Sequence, residues 1–110
     1  MTTTDTTPEL IQRYFELASG RDDEAYVALF AADALVEDEG KEYAGIDAIR
    51  AWRSGVPRVE HTITSVEPTG EGMTVTCTIA GDFPGSPVAG LRFHFEKFDD
   101  DHIQVLRIRI

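Results

Sequence analysis

Three consecutive acids close the stretch Ala34-Leu35-Val36-Glu37-Asp38-Glu39-Gly40. In a strand successive side chains alternate, so Ala34, Val36 and Asp38 share one face while Leu35 and Glu37 share the other. Asp38 therefore continues an apolar face, and Glu37 and Glu39 point away from it. If that face is the inner one, apolar surroundings disfavour the carboxylate and raise its pKa. A carboxylate raised in this way can serve as a general base near neutral pH. The other reading of the same spacing is an exposed turn carboxylate in an acidic chain. Glu37 and Glu39 are both expected to be solvated, with Glu37 titrating near its ordinary value.

The remaining polar candidates each have a structural and a functional reading. Tyr14 lies on the helical row Leu10, Tyr14, Leu17; it is either a core tyrosine bonded to a backbone carbonyl or a donor to a ligand. Trp52 is core or cavity wall. His61 shares a strand face with Val59 and Ile63, and so is either a satisfied sheet histidine or a group projecting into a cavity. His94 alternates with Phe93 and Phe95 and belongs on the opposite, outer face, and His102 sits exposed in an acidic turn. Arg107 and Arg109 read as solvated positions of a strand. Cys77, on the face of Val75 and Ile79, is a small buried thiol before it is a nucleophile. Asp99-Asp100-Asp101 lacks the glycine and distal glutamate of a calcium loop, and no histidine pair has helical ligand spacing, so no metal site is expected. No Gly-x-Ser-x-Gly elbow and no phosphate-binding glycine loop occur.

Composition narrows the classes. A chain of 110 residues with 42% hydrophobic and 27% charged residues is one soluble globular domain spanning 1–110. A net charge of −10 repels phosphate backbones and anionic membranes, which argues against nucleic acid or a bilayer as partner. The single cysteine excludes an intrachain disulfide. Residues 1–7 have neither a basic nor an apolar segment and read as a frayed, disordered tail. No run is long enough to span a bilayer, and the expected location is the cytoplasm.

The elements that must hold these groups come helices first. Thr7 caps, Pro8 presets the first turn and Glu9 suits its dipole; a helix follows to Gly20 with Leu10, Tyr14, Leu17 and Ile11, Phe15, Ala18 as apolar rows. Asp22 caps a second helix carrying Tyr26, Val27, Leu29 and Phe30, expected to run on through Ala31-Ala32-Asp33. Short strands Ala34–Asp38 and Lys41–Ala44 precede a third helix, Ile46 to about Arg53, with Ile46, Ile49 and Trp52 inward and Gly55 and Pro57 ending it. From Arg58 the period becomes two: Val59, His61 and Ile63 oppose Arg58, Glu60 and Thr62. Pro68–Gly72 is a hairpin turn and Met73 to Gly81 its return strand. The loop Asp82-Phe83-Pro84-Gly85-Ser86-Pro87 leads to a strand with Leu91, Phe93 and Phe95 inward, and Ile103 to Ile110 is the last strand. There Leu106, Ile108 and Ile110 lie opposite Ile103 and Val105, so both sheet faces carry apolar groups and a homodimer through the sheet is expected. Helices before long antiparallel strands make an α+β domain.

This order resembles the NTF2-like superfamily, with its SnoaL-like polyketide cyclases and ketosteroid isomerases. The resemblance is carried by Gln12-Arg13-Tyr14, by Ala28 through Asp38, and by Gly45-Ile46-Asp47-Ala48-Ile49-Arg50. It implies a cone in which a curved antiparallel sheet wraps over three N-terminal helices around an apolar cavity. It places a proton-abstracting base at Asp38 and a tyrosine oxyanion donor at Tyr14. The isomerases' second, protonated acid would fall on the strand around Leu91 and Phe93, which are apolar here. The tyrosines supporting the donor correspond to Phe30 and Arg53.

Three functions fit. One is a cofactor-free isomerase- or cyclase-like enzyme with Asp38 as base and Tyr14, with His61, polarising a carbonyl. Another is a binding module for an apolar small molecule, with Trp52, His61, Phe30 and Phe93 contacting the ligand. The third is a dimerising interaction domain whose cavity is filled by its own aromatics.

Overall fold

A computed structural model of the chain describes residues 8–56, 59–70, 72–82 and 84–109. The 1–7 tail with its Thr7 cap, Pro57, Arg58, Glu71, Phe83 and Ile110 lie outside the described residues. The elements run α1 (Glu9–Ala18), α2 (Asp23–Val27), β1 (Phe30–Asp38), β2 (Lys41–Ala44), α3 (Ile46–Gly55), β3 (Val59–Thr69), β4 (Gly72–Gly81), β5 (Val88–Phe98) and β6 (Ile103–Arg109). All six strands form one curved, unclosed sheet in the order β2-β1-β6-β5-β4-β3. Its inner face and the helices enclose the core. There Tyr14 packs edge-on to Phe95 at 5.2 Å between ring centroids, and Phe15 to Phe93 at 5.1 Å.

The sheet is mixed rather than wholly antiparallel. β6 runs parallel to β1, pairing Val36 with Leu106 and Asp38 with Ile108. The long excursion through α3 and β3–β5 between these strands permits a parallel pair, which no tight turn could connect.

Two local expectations fail for one reason: pairing with β6 outweighs local preference. The second helix stops at Val27 instead of continuing through Asp33. The Leu29 carbonyl accepts from the Ile103 N–H at 2.7 Å and Phe30 pairs with Ile103, which draws Ala31-Ala32-Asp33 into β1 against their helical bias. The β1–β6 register then shifts between Phe30 and Leu35, and the β5–β6 register shifts between Phe95 and Phe98. Such bulges reset the alternation. Ile103 is consequently fully buried on the same side as Leu106 and Ile108, not on the outer face with Val105.

Two glycines fix where strands and α3 approach. A side chain at Gly72 would meet the Phe95 carbonyl and the Glu96 backbone across the β4–β5 pair. Gly45, at φ +88°, joins β2 to α3, and its N–H bonds the Ala34 carbonyl at 2.9 Å. That joint lays α3 against β1 and β2 and brings Trp52 to the end of β1. No helix among the described residues is long and apolar enough to cross a membrane.

Candidate active site

A cavity of about 1070 Å³ lies between the helices and the inner face of the sheet, large enough for a drug-sized molecule. Asp38, Tyr14, Tyr26, Trp52, His61 and Phe93 are among the residues that line it. Phe15, Phe30 and Phe95 do not. They pack beneath it, so the aromatic cluster floors the cavity rather than filling it.

Asp38 occupies the last position of β1, one step beyond the fully buried Val36 on the same face, and is half-buried. Its Oδ2 accepts from Trp52 Nε1 at 3.1 Å. Desolvation raises its pKa above the ordinary carboxylate value, and the charge of Glu39 adds to this. The Trp52 bond and the Glu39 N–H work the other way and are outweighed. The Trp52 ring is itself flanked by Tyr43 at 6.0 Å and Tyr26 at 6.4 Å. The carboxylate is thus oriented, partly desolvated and open to the cavity.

Tyr14 and Tyr26 form a buried pair in which the Tyr26 hydroxyl donates to the Tyr14 oxygen at 2.9 Å. The proton of Tyr14 is not used in that bond, and the hydroxyl donates to no other group among the described residues. Burial pushes both phenols above their ordinary pKa; Asp38 adds to this, and the Arg53 guanidinium opposes it. Both remain protonated donors at neutral pH. Arg53 is 3% exposed. Its Nε pairs with Asp23 at 3.2 Å and its Nη2 donates to the Ala18 carbonyl at 3.0 Å, at the end of α1 where helix carbonyls lack partners. Its Cζ stands 4.4 Å from the centre of the Tyr26 ring. Arg53 therefore locks α1, α2 and α3 together behind the tyrosine pair.

The sequence-derived candidates divide clearly. Asp38, Tyr14, Trp52, His61 and Phe93 reach one cavity, while Phe30 is buried against Tyr26 at 5.5 Å and lies outside the lining. His61 is half-buried, with Nδ1 3.0 Å from Ser19 Oγ, and burial pushes its pKa down to about 4 with Arg53 adding to the shift. Leu91 and Phe93 line the cavity where a second acid would be expected, so no carboxyl donor stands there. His94 is on the outer face, its Nδ1 2.8 Å from Thr74 Oγ1, and His102 is exposed. Cys77 is fully buried, which pushes its thiol up to about 12 and leaves it inert. Among the described residues no three His, Cys, Asp or Glu side chains are grouped to hold a metal ion.

Glu37 departs from its expected state. Its side chain is 12% exposed and bonds Arg107 Nη1 at 2.6 Å and Arg109 Nη2 at 2.9 Å, which lowers its pKa to about 2. The two arginines are partners in this network, not merely solvated strand positions, and Glu37 and Arg109 are also among the residues that line the cavity. Arg107 also reaches Glu96 at 3.0 Å and Glu42 at 3.4 Å.

Among the site residues that periodicity missed are Tyr26, Tyr43 and Arg53, which line the cavity, and Ser19, which contacts His61. The one signal for Tyr26 was a hydroxyl on an otherwise apolar row, which when buried demands a partner. Ser19 and Tyr43 carried no comparable sign.

A family model described as the SnoaL-like domain matches residues 11–109. A Sinorhizobium meliloti protein, provisionally assigned as a polyketide cyclase, is 32% identical, with 94% of this chain and 95% of that chain covered and a TM-score of 0.83. A Catenulispora acidiphila protein of ketosteroid isomerase-like fold, solved in complex with trimethylamine, is 23% identical over 96% of this chain and 87% of its own, with a TM-score of 0.79. A Mycobacterium tuberculosis protein solved in complex with estradiol-17beta-hemisuccinate is 16% identical over 92% of this chain and 90% of its own, with a TM-score of 0.73. The last two likenesses are of fold alone. No curated protein matches the chain.

Proposed function

The chain belongs to the SnoaL-like domain family and has its NTF2-like α+β fold, and from that premise we propose that it is a cofactor-free proton-transfer enzyme acting on an apolar carbonyl compound. The observation that carries this reading is that Asp38, oriented by Trp52, lines the same cavity as Tyr14, whose own proton is unspent. Asp38 takes a proton from the carbon beside the carbonyl, and the bonding pair moves onto the carbonyl oxygen. Tyr14 donates to that oxygen as its charge develops. The protonated Asp38 then returns the proton to another carbon of the enolate system, or the enolate carbon attacks a second carbonyl carbon to close a ring, the π pair of that carbonyl moving to its oxygen, which takes the proton from Asp38.

A panel of enolisable ketones, followed by NMR for hydrogen exchange and product, tests the proposal. Asp38→Asn keeps the shape and removes the base, so the rate falls by ~10²–10⁴. Tyr14→Phe costs less, since water partly replaces one donor. Equal rates in parent and Asp38→Asn remove Asp38 from the mechanism.

A second reading, a binding module without chemistry, draws on the apolar Leu91 and Phe93 where a second donor would stand. It is also compatible with the small molecules held by the Catenulispora and Mycobacterium proteins. It predicts ligand binding undiminished in both variants and no turnover. The proposal further includes a homodimer through the sheet's outer face, where Arg92, Glu96 and Thr62 are exposed, and cytoplasmic location without nucleic-acid or membrane partners, in keeping with the charge of −10. Sedimentation that finds only monomer at micromolar concentration removes the dimer.

A further inference from the structure

The cavity has a polar group that proton transfer at Asp38 does not use. His61 lines it from β3, at the opposite edge of the sheet from the strands that carry Asp38. Four strand spacings separate β1 from β3, ~19 Å along the curved sheet and less across the cavity. The electrostatics agree with this separation: Asp38 influences Tyr14 and Tyr26, whereas the one charge that influences His61 is Arg53. Between the two ends the sheet side of the wall is apolar, with Phe93, Leu91, Ile79 and Val88, while Tyr14, Tyr26 and Arg53, the last paired with Asp23, line it from the helices.

The imidazole is fixed in place. Ser19 Oγ, just past the end of α1, is 3.0 Å from Nδ1, and the ring is held edge-on by Phe15 at 5.4 Å and Phe93 at 5.7 Å. Nδ1 is taken, so the ring offers Nε2 to a bound molecule; no hydrogen bond to Nε2 is formed among the described residues. Burial keeps the ring uncharged at neutral pH. An uncharged imidazole gives a carboxylate no ion pair and an ammonium no counter-charge. A hydroxyl suits it in either tautomer, because a hydroxyl both donates and accepts.

We propose that His61, braced by Ser19, is the specificity residue that recognises a hydroxyl on the substrate at the end remote from Asp38. The substrate is then an apolar compound with oxygen functions at both ends: a carbonyl between Asp38 and Tyr14, and a hydroxyl at His61. This deepens the proton-transfer reading and rests on it for the placement of the carbonyl.

The test uses a matched pair of ketones, 4-(4-hydroxyphenyl)cyclohexanone and 4-phenylcyclohexanone. Binding is read from the fluorescence of Trp52, the single tryptophan, which lines the cavity. The parent binds the hydroxylated ketone about tenfold more tightly, the worth of one well-placed hydrogen bond in a cavity. His61→Phe erases the difference, His61→Gln restores part of it, and Ser19→Ala, an exposed change that leaves the fold intact, weakens it severalfold. Deuterium exchange beside the carbonyl, measured in parent and Asp38→Asn, reports on the underlying reading separately. Exchange that depends on Asp38 with equal binding of the two ketones, or a preference that survives His61→Phe, overturns the assignment of His61 and leaves the base in place. Failure of both ketones to bind or exchange overturns the reading and this inference together.

Discussion

Trp52 Nε1 donates to Asp38 Oδ2 across 3.1 Å, so the carboxylate that ends β1 is aimed by a ring carried on α3. The bond favours the ionised carboxylate, while desolvation opposes it. The ring thus sets the direction of the carboxylate and offsets part of the upward shift of its pKa.

Trp52→Phe removes this donor and keeps most of the ring's packing. The pKa of Asp38 then rises further, because the remaining influence of burial is less opposed. The acid limb of the rate profile moves to higher pH, and kcat falls roughly tenfold through lost orientation, the worth of one charge-assisted hydrogen bond. A carboxyl-carbon NMR titration of Asp38 in parent and variant checks the shift, and its absence means the contact does not tune the base.

Tyr26 donates to Tyr14 in a buried site, so each single truncation takes away the other hydroxyl's partner in that bond. Tyr14→Phe and Tyr26→Phe should each cost ~1–3 kcal/mol of stability. The double variant leaves neither hydroxyl unpaired and should cost clearly less than the sum. Urea unfolding of the four proteins measures the coupling; additive losses would show that the hydroxyls do not depend on one another.

Glu37 and Asp38 are neighbours whose stability contributions depend on pH with opposite sign. Glu37 titrates near 2 in the folded chain against an ordinary 4.5, so the unfolded chain takes up its proton first as pH falls. Its contribution is full above about pH 4.5 and is lost between there and about 2. Asp38 has a raised pKa, so the folded chain binds its proton more tightly and its ionisation lowers stability as pH rises through its folded pKa. Glu37→Gln should therefore lower the urea midpoint at pH 7 and flatten its fall between pH 4.5 and 2. Asp38→Asn should raise the midpoint at pH 7. A Glu37→Gln protein with the parent's acid profile would contradict the Arg107–Glu37–Arg109 network.

What the sequence made legible is what periodicity and glycine punctuation control. The rows of α1, the cap of Asp22 on α2 and the common face of Ala34, Val36 and Asp38 are all local patterns. What it hid depends on partners distant in the chain. The start of β1 was unreadable because the ladder to Ile103 decides it, 73 residues after Phe30. The burial of Ile103 follows from bulges that no alternation count contains. Glu37 reads as a solvated acid until the β1–β6 register sets it beside Arg107. At the site, the sequence placed Asp38, Tyr14 and His61, but the pairings that orient them belong to Trp52, Tyr26 and Ser19 on other elements.

The ring opening of 5-nitrobenzisoxazole reads the proposed role of Asp38, a base aimed into an open cavity, with no other chemistry required. This reaction needs one proton removed from carbon and little else, so it depends neither on the natural substrate nor on the hydroxyl at its far end. The account predicts that the parent accelerates ring opening above buffer and that the rate follows the ionisation of Asp38. It also predicts that Asp38→Asn loses ~10²–10⁴ of that rate with its fold unchanged. Parent and Asp38→Asn opening the ring at the same rate would contradict it.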